Sequence, residues 1–228
     1  MATPATGGPQ DRPFAIKDCA LISIATGRRA QNLREFRDHL LTVDAESIYH
    51  HFWGGLLRPQ FDDPEYSNDF AVWARHGLHD AVLAERLAVV DPSDFHDLDE
   101  LRRELVDIIE ERLDSMEHVP WAKSGEAIHF IRGQLVILDT HFSAARPEDF
   151  IDLMPKLSLG SIYYHFIDAR RREPLKTDDF SVWLEGLGPA YDQLRTNIRS
   201  VDPYLASLAE LRSRLGSLFA RHLGGKGA

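Results

Sequence analysis

Three of the eleven histidines in this 228-residue chain sit in a hexapeptide written twice, "SIYHHF" at Ser47–Phe52 and "SIYYHF" at Ser161–Phe166. In each copy a serine precedes a histidine by four residues, Ser47 before His51 and Ser161 before His165. On a helix that spacing puts both side chains on one line, with Ile48 and Phe52, or Ile162 and Phe166, beside it. Tyr49 and Tyr163 point elsewhere. Histidine moves protons and ligates metals near neutral pH. One reading is therefore a doubled Ser–His pair at the rim of a core, with Ser47, His51, Tyr49, Ser161, His165 and Tyr163 as ligand-binding residues. The structural reading has each histidine satisfied by a buried backbone carbonyl or by its helical neighbour serine. A nucleophile–base pair also needs an orienting group and an oxyanion site, and neither accompanies these serines.

The other repeated polar residue is the aspartate of "NDFAVW" and "DDFSVW", Asp69 and Asp179. Both fall in a first helical turn, where the helix dipole and free backbone amides favour a carboxylate. No cofactor is expected on that reading. A transition metal is the alternative, because a set of His51, His165, Asp69 and Asp179 suits iron, manganese or zinc. Phe70 with Trp73, and Phe180 with Trp183, read as core anchors. "HGLHD" (His76–Asp80) has no equivalent in "GLGPAYD", and "EAIH" (Glu126–His129) occurs once and leads into a strand-like run. Arg170–Arg172 close the second hexapeptide helix, where cations suit the C-terminus. Nucleotide-binding glycine motifs and a nucleophile elbow are lacking.

These residues are carried by a duplicated unit. Arg34–Phe52 aligns with Glu148–Phe166 at an offset of 114 without a gap, and the "DFxxW", "VDP" and "ELR" blocks follow in the same order. The predicted fold is mainly α, with α+β the alternative. Two tandem pseudo-repeats of four to five helices each open with a short strand-like run ("FAIKDCALISIAT", "HFIRGQLVILDT") and pack as an intramolecular pseudo-dimer. Asp44 and Ser158 are expected N-caps of the hexapeptide helices, and Ser67 and Thr177 mark the start of the next. The predicted boundaries are a disordered N-terminus at 1–13, repeat one at 14–116, a linker at 117–128, repeat two at 129–223 and a disordered tail at 224–228.

Composition narrows the setting. Hydrophobic residues make up 43% and charged residues 27%, ordinary globular usage. The net charge of −10 disfavours nucleic acid as a partner. That charge is uneven: residues 1–118 hold 12 Lys+Arg against 23 Asp+Glu, residues 119–228 hold 14 against 13. One cysteine, Cys19, excludes an intramolecular disulfide and a cysteine-based zinc site. The opening "MATPATGGPQDRP" has no apolar core, and no run of 18 apolar residues occurs, so a cytoplasmic protein without membrane contact is expected.

Taken together, "SIYHHF", "NDFAVW", "LAERLAVVDP" and "ELRRELVDIIEERL" resemble a bacterial family of short acidic proteins filed as a domain of unknown function. The resemblance covers most of the first copy and, more loosely, the second, which departs where "AERLAVV" becomes "DQLRTNIRS". It implies a bacterial, intracellular protein and brings no catalytic residues. The functional expectation is a binding or regulatory module taking a protein or small molecule in a groove between its halves. The alternative is a metal-dependent or small-molecule-processing enzyme using the repeated histidines.

Overall fold

The computed structural model describes residues 12–57, 65–115, 125–172, 176–204 and 206–224. The chain is mainly helical with one two-stranded antiparallel sheet. In chain order come β1 (Phe14–Ala30), α1 (Leu33–Leu40), α2 (Ala45–Trp53), α3 (Asp69–His76), α4 (Ala81–Ala88), α5 (Leu98–Asp114) and β2 (Ile128–Ala144). There follow α6 (Phe150–Leu153), α7 (Leu159–Ile162), a π-helical segment Tyr163–Asp168, α8 (Ala169–Arg172), α9 (Asp179–Leu187), α10 (Asp192–Arg199) and α11 (Leu208–Leu223).

The chain forms two compact units, and neither is a simple half of the sequence. A continuous unit holds residues 21–135; a split unit holds residues 1–20 and 136–228. Each strand contributes to both. Residues 14–20 of β1 lie in the unit that contains α6–α11, whereas residues 128–135 of β2 lie in the unit that contains α1–α5. Most of the expected 117–128 linker falls outside the described residues, as do the first eleven residues and the last four.

Both strands run for 17 residues, longer than the apolar runs in the sequence suggest. Each continues through a left-handed residue, Gly27 at φ 75° and His141 at φ 60°. The preceding threonine holds each irregularity in place. Thr26 Oγ1 donates to the Phe130 carbonyl at 2.6 Å and accepts from the Arg28 amide. Thr140 Oγ1 donates to the Ile16 carbonyl at 2.6 Å and accepts from the Phe142 amide.

The helices start where side chains can cap them. Asp44 accepts from the Glu46 amide and Ser158 from the Ser161 amide, the two caps expected from the sequence. The next pair starts one residue later than expected, at Asn68 and Asp178, because these rather than Ser67 and Thr177 accept from the third residue of the turn. α5 and α11 are the long amphipathic helices of their units. α5 packs on α1, α2 and α4, and α11 on α6, α7 and α10.

In the continuous unit Phe36, Phe52, Phe70 and Phe130 form the aromatic centre; in the split unit Phe14, Phe150, Phe180 and Phe219 do so. Trp73 is buried, as expected of a core anchor, but Trp183 is only half-buried. Each indole N–H reaches a backbone carbonyl just upstream of a strand, that of Glu126 and that of Arg12.

Gly27 has open space around its Cα, so the demand on it is purely one of backbone angle. Gly27→Ala should therefore destabilise the protein by about 1 kcal/mol, the usual cost of forcing an L-residue into that region. Chemical denaturation of the two proteins measures it directly.

Candidate functional site

The hexapeptide helix is buried on every side. In α2, Ser47 through Phe52 are all buried, and in the second copy Ser161, Ile162, Tyr163, His165 and Phe166 are too. A helix enclosed all round is a core element, so its polar atoms must find partners inside the protein.

The two histidines do so in the same manner. His51 is 4% exposed and its Nδ1 lies 2.9 Å from Asp69 Oδ2; His165 is 3% exposed and its Nδ1 lies 2.7 Å from Asp179 Oδ2. At the opposite side of each ring, Nε2 accepts from a strand amide. The Ile131 N–H reaches His51 at 3.2 Å, and the Lys17 N–H reaches His165 at 2.8 Å. A backbone N–H can only donate. Nε2 is therefore unprotonated in both rings, and Nδ1 carries the hydrogen that is donated to aspartate. These partners differ from the carbonyl or serine expected from the sequence. Asp69 and Asp179 do sit in first helical turns, α3 and α9, and from there orient the rings.

The serines fare differently from each other. Ser161 is bonded to Ser158, its helix cap, at 3.0 Å. Ser47 is fully buried, and its hydroxyl has no partner among the described residues. Tyr49 stacks on Trp53, and Tyr163 is one of the largest fully buried side chains. His51 and Asp69 thus meet in the continuous unit, and His165 and Asp179 in the split unit. Among the described residues no three of His, Cys, Asp and Glu gather in a way that could hold a metal ion.

The split unit also carries a charged layer. Arg172 donates to Asp168 at 2.8 Å and to Asp179 at 3.1 Å, and lies over the Tyr164 ring. Its Nη2 also donates to the Tyr164 carbonyl, and Arg170 Nε donates to the Phe166 carbonyl. Both carbonyls belong to the π-helical segment, and that of Tyr164 also accepts from the Ala169 amide. Gly160 permits the close seat of α7 on β1: a Cβ there would collide with the Asp18 carboxylate and the Cys19 carbonyl. Burial, with the neighbouring Asp18 carboxylate, pushes the Cys19 thiol up to about 12, so it is an inert packing group.

The strand amides and the two threonines are the site residues that motif reading did not single out. A backbone amide leaves no side-chain signature. Thr26 and Thr140 did leave one, since they are 114 residues apart, the offset of the repeat.

With this geometry in hand, comparison with known proteins is informative. The chain belongs to a family of unknown function, DUF5752, whose model matches residues 11–220. No curated protein matches it. Among solved structures it is similar to OrfY from Thermoproteus tenax, at 25% identity and a TM-score of 0.80, covering 95% of this chain and 98% of that one. Among the described residues no helix is long and apolar enough to cross a membrane.

Asp178 shows what a buried carboxylate costs at an otherwise good cap. It is fully buried and accepts from the Ser181 amide and hydroxyl, both at 2.8 Å. Loss of water still raises its pKa, against the lowering effect of Ser181 and the Arg170 guanidinium. Its counterpart in the continuous unit, Asn68, caps the same turn without charge and donates to the Leu87 carbonyl. A raised folded-state pKa means a contribution fully present below the unfolded value, about 3.9, and lost as pH rises through the folded value. Asp178→Asn should keep the cap and remove that loss. Thermal melts should show the variant gaining on the parent as pH rises from about 4 to 7, and a constant difference would contradict this account.

Proposed function

We propose that this member of the family is a binding or regulatory module, built by tandem duplication, and not a catalyst. The observation that carries this reading is the full commitment of both repeated histidines to the fold. With Nε2 accepting from a strand and Nδ1 donating to aspartate, neither ring keeps a lone pair for a substrate proton or a metal. The duplication reading is supported by contacts that recur between aligned residues: histidine to aspartate, histidine to strand amide, tryptophan to carbonyl and threonine to carbonyl.

The two units differ in net charge. Residues 21–135 hold 12 Lys+Arg against 22 Asp+Glu, whereas the split unit holds 14 against 14. The whole net charge of −10 therefore belongs to the continuous unit. On α5, Glu104, Asp107, Glu111 and Asp114 fall within an arc of roughly 80° at 100° per residue. They lie away from buried Leu101, Leu105, Ile108 and Ile109. Glu111 pairs with Arg86; the other three face water. Such a stripe suits a basic protein partner, recognised with a strong dependence on salt.

Affinity capture from extract of the source organism, followed by crosslinking, tests this. The expected partner is basic, crosslinks to α5 and is released by salt. It should be lost on reversing Glu104, Asp107 and Asp114 to Lys but retained by folded His51→Gln. Binding indifferent to the charge reversal, or a turnover abolished by His51→Gln in a folded protein, would overturn the reading.

A further inference from the structure

The buried histidine contacts join distant parts of the chain. Lys17 and His165 are 148 residues apart, and Ile131 and His51 are 80 apart. A cut in the 116–124 segment would leave residues 12–20 of the split unit on the N-terminal half. It would leave residues 125–135 of the continuous unit on the C-terminal half. Each unit would then consist of helices from one half and a strand from the other.

The strand segment received by each unit has a defined chemistry. Two apolar side chains two residues apart are buried, Phe14 and Ile16 in one case and Ile128 and Phe130 in the other, all at 7% exposure or less. The next amide, of Lys17 or Ile131, is taken by a histidine. The carbonyl two residues upstream of the first apolar position, of Arg12 or Glu126, is taken by a tryptophan. The features occur in the same order at both places: carbonyl, apolar, apolar, amide.

We propose that each unit contains a strand-recognition site, read by Trp183 and His165 in one and by Trp73 and His51 in the other. Its occupant is the opposite half of the chain, and the matching half of a second copy fits it equally. This is strand recognition guided by side-chain pockets and two hydrogen bonds to the main chain of the strand segment, one at a carbonyl and one at an amide. The specificity lies in the apolar spacing and the amide position, which a one-residue slip would move to the wrong face.

The test uses the full-length chain with a protease site placed within residues 116–124 and cleaved under native conditions. Native mass spectrometry should show the halves held as one 1:1 complex. Mixing cleaved protein with a nitrogen-15-labelled cleaved sample should yield hybrid complexes, since either copy supplies the strand. Lys17→Pro removes the amide from His165, yet this amide points away from β2, so the two-stranded ladder tolerates the change. It should raise the dissociation constant of the halves at least ~tenfold, the effect of leaving one buried acceptor unpaired. Lys17→Ala keeps the amide and loses only the exposed ion pair to Asp139, so it should raise the constant no more than about fivefold, and Lys17→Pro should exceed it clearly. Separation into two independently folded halves, a failure of hybrids to form, or an unchanged constant in Lys17→Pro would overturn the proposal.

Discussion

A strand amide that faces a helix instead of another strand must still find an acceptor, and this protein solves that problem twice with an imidazole. Left unpaired, a buried amide costs about 1–3 kcal/mol. A helix offers no backbone acceptor from its side, since its carbonyls are used along its own axis. Histidine can present a bare nitrogen at the right distance, provided its other nitrogen is fixed as the donor. Asp69 and Asp179 supply that condition from the first turn of the next helix. The arrangement of α2 with α3, and of the π segment with α9, follows from bringing three groups into line: aspartate, imidazole and strand.

That constraint also occupies both ring nitrogens of a residue pair familiar from catalysis. An Asp–His pair with a free Nε2 could serve as a general base. In this fold the position where a nucleophile or substrate would stand is taken by main chain. The aspartate orients the ring as it would in an enzyme, and the ring then does structural work.

The sequence was legible where local rules decide. Capping chemistry placed the starts of α2 and α7 at Asp44 and Ser158, and the apolar stripe of Leu98–Leu113 gave α5 nearly to the residue. The two apolar runs were recognisable as strand candidates, but their length was not. The continuation through Gly27 and His141 depends on threonine bonds across the ladder, which no local pattern encodes. The π segment was hidden too, since the contacts that accompany it, Arg170 and Arg172 reaching back to carbonyls, leave no local pattern. Above all, the repeated hexapeptide marked the right histidines without revealing their partners. One partner is an aspartate that helix-dipole reasoning already accounted for, and the other is a backbone amide without a sequence signature.

The tautomer of the two rings bears most directly on this account. Long-range proton–nitrogen correlation NMR on nitrogen-15-labelled protein distinguishes protonated from bare ring nitrogens, residue by residue. His51 and His165 should both show a proton on Nδ1 and a bare Nε2. A proton on Nε2 of either ring would set two donors against each other across the strand contact, and would contradict the role assigned here to both histidines.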